Sequence, residues 1–104
     1  MEFIQSKDNK TIKHIIALGQ RKNRQKSGEY IVEGIRSIRD IAAMGAVKTI
    51  VIRESKAQDK NVLDLLTLDS VQSAHTYIVQ DPVFDKIDNT VNGQGVVAIV
   101  DRKS

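Results

Sequence analysis

The sequence predicts an α/β protein in which helices cover both faces of a mixed or parallel β-sheet. Helical and extended segments alternate along the chain, in the order helix, strand, helix, strand, helix, strand, helix, strand. The last extended segment, residues 95–100, is apolar on both of its faces, which is typical of a strand inside a sheet. These two observations predict an α/β sandwich whose central sheet, mixed or parallel, is covered by helices on both faces.

Length and composition restrict the class of protein. The 104 residues suit one domain, because one hydrophobic core can close at this length and two could not. With 40% apolar and 28% charged residues, the chain is neither a disordered tail nor a collagen-like rod. It has no cysteine for a disulfide or a zinc site, and its apolar runs of about five residues cannot span a bilayer. We expect one cytoplasmic domain over residues 1–104, without membrane or metal.

The first predicted helix, residues 9–21, has an apolar face and a cationic face at about 100° per residue. Asp8 or Asn9 can cap its first turn, and Gly19 favours its end. The apolar face is predicted to hold Ile12, Ile15, Ile16 and Gly19, and the cationic face Lys10, Lys13, His14, Ala17 and Arg21.

A polar run at residues 20–28 follows, and its lack of apolar periodicity predicts a basic loop. Residues 1–28 hold seven Lys or Arg and two acids, whereas residues 29–104 hold nine and eleven. This separation favours an anionic partner, most commonly nucleic acid, although a solvated lysine-rich surface explains the same charges. Arg21 and Arg24 are expected to be exposed and to matter most, because a guanidinium binds two phosphate oxygens at once.

The middle of the chain alternates regularly. Residues 29–33, between two glycines, predict a short buried strand, and a helix with Ile35, Ile38, Ile41 and Ala42 on its apolar face should follow and end at Gly45. Residues 47–52 predict a second strand and residues 75–79 a third. Between them, a helix carrying Val62, Leu65 and Leu66 should end before Ser70.

The last helix is predicted to begin at Asp81-Pro82, with Asp81 as the cap and Pro82 as the first helical residue. Val83, Phe84 and Ile87 supply its buried side. Residues 88–95, rich in Asn and Gly, predict a loop before the final strand.

The segment Glu33-Gly34-Ile35-Arg36 lies where a strand ends and a helix begins. Free backbone N–H groups and Arg36 could bind a phosphate there, and Glu33 could accept from a base edge. A tight turn that needs glycine explains the same residues without any ligand. Gly93-Gln94-Gly95 is typical of a plain turn, because it lacks the helix of a dinucleotide site.

Candidate catalytic and metal residues are few. His14 and His75 have no Ser, Cys or paired acid at a suitable spacing, so both are interpreted as surface histidines. Asp81, Asp85 and Asp88 could imitate a metal cluster, but capping and exposure explain them. We predict no catalytic, cofactor-binding or metal-binding residue in this chain.

Three groups of segments together resemble a known family, the SpoU-type (TrmH-like) RNA 2′-O-ribose methyltransferases. The segments are Ile4-Gln5-Ser6-Lys7-Asp8-Asn9 with Ile12-Lys13 and Arg21-Lys22-Asn23-Arg24, then residues 28–36, and finally residues 83–87 with Thr90 and residues 94–98. The chain is similar to the N-terminal substrate-binding domain of that family over nearly its whole length.

The resemblance implies an L30e-like, three-layer α/β/α sandwich with a mixed central sheet. It also implies that this domain binds structured RNA, usually ribosomal or transfer RNA. It implies that S-adenosylmethionine binds in a following knotted domain absent from this chain, through which the full-length protein forms a homodimer. This chain would then do no chemistry alone. The residues expected to contact RNA phosphates are Lys10, Lys13, Arg21, Lys22, Arg24 and Lys26, and those expected to position the RNA are Glu33, Gly34 and Arg36.

Two other functions remain open from the sequence. The chain could be a free-standing L30e-like ribosomal or kink-turn RNA-binding protein whose function is complete in these residues. It could also bind a metabolite or nucleotide at the Gly93–Gly95 loop. In addition, the residues after position 28 carry a small net negative charge that could dock the absent domain.

Overall fold

A five-stranded mixed β-sheet forms the centre of the molecule, whose computed structural model describes residues 2–87 and 93–101. The strand order is β1-β4-β3-β5-β2. Strands β1, β4 and β3 are parallel, and β5 is antiparallel to both of its neighbours. The strands are β1 (Glu2–Ile4), β2 (Glu29–Glu33), β3 (Val47–Arg53), β4 (His75–Val79) and β5 (Val96–Asp101).

Helices connect these strands and cover the sheet. A single 3₁₀ turn, Glu54–Lys56, follows β3. No helix among residues 2–87 and 93–101 is both long and apolar enough to cross a membrane. The helices are α1 (Lys10–Ala17), α2 (Arg21–Ser27), α3 (Ile35–Ala42), α4 (Lys60–Leu66), α5 (Asp69–Gln72) and α6 (Asp81–Phe84).

Two hydrophobic clusters lie on opposite faces of the sheet, which confirms the predicted three-layer sandwich. One cluster packs α3, α4 and α5 against one face, and the other packs α1 and α6 against the opposite face. Alternate residues of β5 belong to different clusters. The first cluster contains Val96, Ala98 and Val100, and the second contains Val97 and Ile99. The final strand therefore lies inside the sheet, as its apolar sequence predicts.

Helix α1 is shorter than predicted. Asn9, one of the two expected caps, accepts a hydrogen bond from the Thr11 N–H at 2.7 Å, but the helix ends at Ala17 rather than near residue 21. Ile16, predicted to be in the core, is 49% exposed, while Leu18 is buried. Leu18, the C-cap residue, keeps a helical conformation and lies three residues after Ile15, so it continues the buried side formed by Ile12 and Ile15.

The predicted basic loop is wrong: most of residues 20–28 form α2. The helix buries no side chain, so it leaves no apolar periodicity in the sequence. Gly28 ends it in a left-handed conformation, with φ of 72°, and its N–H donates to the Arg24 carbonyl.

The structure differs from the predictions in three smaller respects, which concern β1, β2 and α5. The short strand β1 was missed because three residues give little pattern. Strand β2 is half-buried rather than buried, because it forms an edge of the sheet. Helix α5 includes Ser70, where no helix was expected.

Helix α6 begins at Asp81, one residue earlier than predicted. Gln80 is the N-cap of α6 and Asp81 its first residue, so Asp81 is not the cap and Pro82 occupies the second position. The Asp81 carboxylate instead accepts from the Ser55 N–H at 3.0 Å. Of the predicted loop at residues 88–95, residues 88–92, including Asp88 and Thr90, lie outside the described part of the chain.

Candidate functional site

Helices α1 and α2 form a helical hairpin that carries most of the excess positive charge. We call residues 10–28 the basic hairpin; they contain six Lys or Arg and no Asp or Glu. The Asn23 amide donates to the Ala17 carbonyl at 2.9 Å, and the Arg24 guanidinium donates to the Leu18 carbonyl at 3.0 Å. These bonds satisfy carbonyls at the end of α1 that have no partner within the helix, and they hold α2 against α1.

Five cations of the basic hairpin are exposed. Within the described ranges, no carboxylate lies at ion-pair distance from any of them. Their charge is therefore not neutralised by neighbouring side chains in this part of the structure, and it attracts anions to this surface. The five are Lys10, Lys13, Arg21, Lys22 and Lys26.

Arg24 differs from these five cations, and the prediction that it is exposed is wrong. Its side chain is half-buried rather than exposed, because one nitrogen of the guanidinium reaches back to the Leu18 carbonyl. A guanidinium has five N–H donors, so this bond leaves donors for a ligand. Arg24 thus combines a structural contact with a position that can bind an anion.

An ion-pair cluster joins α1, β2 and β3 beside the hairpin. Glu29 accepts from Lys48 at 2.6 Å through one carboxylate oxygen, and His14 lies 2.6 Å from the other. Burial acts to raise the pKa of Glu29, but the hydrogen bonds from Lys48 and His14 outweigh it and lower that pKa. His14 is thus half-buried and paired, which its sequence context did not indicate.

The segment Glu33–Arg36, which we call the α3 corner, has its backbone donors partly occupied. Gly34 adopts a φ of 93° and forms the N-cap of α3, as a tight turn requires. Its N–H donates to the Val96 carbonyl, and the Ile35 N–H donates to the Gln94 side chain at 2.7 Å. These two N–H groups, expected to be free for a phosphate, are used by the fold itself.

The α3 corner does not form one site. Glu33 borders a groove between α1, α2, β2 and the end of α6. Arg36 borders a smaller pocket with Asn61 and Gln94, among the helices on the opposite face of the sheet. The structure therefore brings Glu33 close to Arg24 and separates both from Arg36.

The groove beside Glu33 has a volume of about 760 Å³. Ile16, Ile31 and Ile87 contribute apolar surface, while Arg24, Lys86 and Glu33 contribute charged groups. Lys86 was missed in the sequence, because a lysine in a polar turn after a helix gives no signal of its own. Its place in the groove depends on how α6 packs against α1.

Arg53, at the end of β3, accounts for two of the aspartates that could imitate a metal cluster. Its guanidinium lies 2.6 Å from the Asp85 carboxylate and 3.9 Å from that of Asp81. It also lies over the Phe84 ring, 4.7 Å from the centroid. The pKa of Asp81 is lowered, chiefly by the hydrogen bond from the Ser55 N–H. These contacts give both aspartates a structural role.

Comparison with known proteins places most of the chain in one family. Residues 9–98 match the family described as "MRM3-like substrate binding domain". The chain is 33% identical over 95 residues to an uncharacterised tRNA/rRNA methyltransferase of Synechocystis, a match that covers 91% of this chain and 34% of that protein.

Solved structures agree in fold. The chain superposes on an RNA 2′-O ribose methyltransferase with a TM-score of 0.78 and 21% identity, covering 96% of this chain and 37% of the other. It superposes on an AdoMet-bound rRNA methyltransferase from Sinorhizobium meliloti with a TM-score of 0.70 and 24% identity, covering 97% and 36%. The chain thus spans about a third of the length of these relatives, 34 to 37%.

Proposed function

The chain belongs to the MRM3-like substrate-binding domain family, and from this premise we propose that it binds RNA for a methyltransferase. In this proposal it is the substrate-recognition domain of an S-adenosylmethionine-dependent rRNA or tRNA 2′-O-ribose methyltransferase of the cytoplasm. The family match supports this function over a free-standing ribosomal or kink-turn protein.

The basic hairpin is the observation that carries the proposal. RNA presents a dense array of phosphates, and a cluster of Lys and Arg on one face of a domain is the usual electrostatic feature of a protein that binds it. Five exposed cations on two packed helices form such a cluster. Because Arg24 and Asn23 hold the two helices together, the cations are presented by a preformed surface rather than a flexible loop.

The chemistry is assigned to another part of the protein. We place S-adenosylmethionine and the catalytic residues in a further domain, because the relatives are about three times as long as the matched region and one similar structure holds AdoMet. That domain would also form the homodimer. The task of the present residues is to hold structured RNA, rRNA or tRNA, so that a ribose reaches the second domain.

Charge reversal on the hairpin tests the RNA-binding role. The double variant K13E/K22E should bind fluorescently labelled tRNA or an rRNA hairpin at least about tenfold more weakly than the unmodified chain, measured by anisotropy. Lys60→Glu, on the opposite helical layer, is the control and should bind almost normally. Equal binding by K13E/K22E and the unmodified chain would remove the hairpin from the RNA interface.

A separate measurement tests the proposal that another domain carries out the methyl transfer. The full-length gene product should transfer a labelled methyl group from S-adenosylmethionine to the 2′-oxygen of RNA, and this 104-residue chain alone should not. Methyl transfer by the isolated chain would contradict the proposed division between domains.

A further inference from the structure

We propose that the groove beside Glu33 holds one unpaired nucleotide of the bound RNA. The inference rests on the proposed RNA-binding function and assigns a site and a ligand that this function does not require. The groove is defined by Ile16, Ile31 and Ile87 on its apolar side and by Arg24, Lys86 and Glu33 at its charged positions.

The size of the groove suits a nucleotide. Its volume of about 760 Å³ lies within the range of about 300–1,000 Å³ that is usual for small-molecule sites. The groove is open to solvent along the surface of the molecule, so a nucleotide that stays covalently joined to its RNA strand can enter it sideways.

The apolar side of the groove gives a role to Ile16, whose exposure is not explained by packing within the fold. Ile16 is 49% exposed on a helix whose other isoleucines are buried, and it forms one edge of the groove. Nucleobases that leave a helical stack are bound between apolar or aromatic side chains. The branched side chains of Ile16 and Ile31 can therefore pack against a base, whereas Ile87 is only 6% exposed and belongs mainly to the core.

The charged positions match the other parts of a nucleotide. Arg24 and Lys86 bring two cations to the groove, and both suit a phosphate. Glu33 brings a carboxylate, which accepts hydrogen bonds from an exocyclic amino group such as N4 of cytosine. A carboxylate has about four lone-pair positions, so it can bind a base while keeping a contact within the protein.

The position of the groove connects it to the RNA surface. Leu18 and Gly19, which join α1 to α2, border the groove, and Arg24 belongs both to the groove and to the basic hairpin. An RNA backbone that follows the hairpin cations therefore passes the open side of the groove. A paired nucleotide cannot enter, because its base is held in the helical stack.

Two RNA hairpins that differ by one unpaired cytidine test this proposal with the unmodified chain. We expect about tenfold tighter binding to the bulged RNA, as removal of one base contact usually changes affinity by this order. Ile16→Ala, which removes apolar surface from the edge of the groove, should reduce this preference and leave binding to the fully paired RNA unchanged. Leu63→Ala, at a similarly exposed apolar residue of α4, is the matched control and should keep the preference.

Glu33→Gln provides a second variant. The unmodified chain should prefer an unpaired cytidine to an unpaired uridine, and E33Q should bind both about equally. As a measurement that needs no variant, the backbone amide signals of Ile31 and Ile87 should shift more with the bulged RNA than with the paired RNA in NMR spectra.

The outcomes separate this inference from the proposed function. If the unmodified chain binds both RNAs equally, or if Ile16→Ala keeps the full preference, the groove does not hold a nucleotide. The RNA-binding function still stands in that case, provided that K13E/K22E weakens binding to both RNAs. If K13E/K22E changes neither affinity, the proposed function itself fails.

Discussion

Arg21 and Arg24 lie three positions apart on α2, and their guanidinium groups have different surroundings. Both lie in the same basic run, and both suit phosphate binding. Arg21 is exposed, whereas the Arg24 guanidinium donates to the Leu18 carbonyl and borders the groove. One arginine is therefore available for RNA alone, and the other also maintains the hairpin.

Substitution by alanine should separate these roles. Arg24→Ala should lower the free energy of unfolding by about 1 kcal/mol, because the Leu18 carbonyl loses its hydrogen bond. Arg21→Ala, the matched control, should stay within about 0.5 kcal/mol of the unmodified chain. Urea denaturation followed by circular dichroism measures both. Equal stability of the two variants would show that the Arg24 contact contributes nothing.

Helix α3 depends on a residue far away in sequence. Gln94 accepts from the Ile35 N–H at 2.7 Å across 59 positions, in place of a local N-cap side chain. An ordinary N-cap is recognisable in a sequence as Ser, Thr, Asp or Asn directly before the helix. Gly34 occupies that position in α3 and has no side chain to accept a hydrogen bond. Residues 34 and 35 therefore could not reveal how this helix begins.

Removal of this distant cap should weaken α3. We expect Gln94→Ala to lower the free energy of unfolding by about 1 kcal/mol, as loss of an N-cap does elsewhere. Gln94→Glu retains the acceptor oxygen and should preserve most of the stability. Thermal denaturation of the two variants checks this, and a normal melting temperature for Gln94→Ala would contradict it.

The ion-pair cluster of Glu29 with Lys48 and His14 should make the stability of the fold depend on pH. The folded state lowers the pKa of Glu29, so the ionised carboxylate stabilises the fold above the ordinary carboxylate range of about 4 to 4.5. This contribution is lost as the pH falls through the lowered pKa. Because Lys48 is half-exposed, we expect about 0.5 to 1 kcal/mol at neutral pH.

Glu29→Gln tests that contribution. Its deficit in unfolding free energy, measured by urea denaturation, should be present at pH 7 and shrink towards about pH 3. Glu54→Gln is the control, since Glu54 is exposed and makes no ion pair within the part of the chain that the structure describes. A deficit that is the same at both pH values would exclude the ion pairs as its cause.

Positive charge is concentrated along one side of the sandwich, where the basic hairpin lies. Lys10, at the start of α1, lies near Glu29 and Lys48, whereas the end of α1 borders the groove beside Glu33. Because Glu29 and Glu33 are the two ends of β2, the basic hairpin extends along the full length of that strand. The hairpin that carries the exposed cations thus runs beside this edge strand of the sheet.

Binding to RNA should therefore depend steeply on salt. If the five exposed cations of the hairpin each neutralise a phosphate, log affinity should fall with log salt concentration at a slope near −4. Lys13→Gln combined with Lys22→Gln should reduce the magnitude of that slope by about two. Anisotropy titrations between about 50 and 200 mM salt provide the measurement, and a flat response would contradict electrostatic binding.

Local sequence patterns predicted the layered α/β architecture, the main strands and the position of β5 inside the sheet, because periodicity records whether a segment is buried on one face, on both or on neither. The family resemblance depends instead on matching residues in several segments of the chain. The concentration of positive charge before residue 29 was likewise visible without a structure. Its role as an RNA surface stays a prediction.

Three features became visible in the folded chain alone. Residues 21–27 form a helix, Gln94 caps α3, and Arg24, Glu33 and Lys86 share a groove. Helix α2 buries no side chain, so nothing in its sequence distinguishes it from a polar loop. The other two features join residues that are distant along the chain. Local pattern carries no information about such contacts, because the packing of whole helices against the sheet creates them.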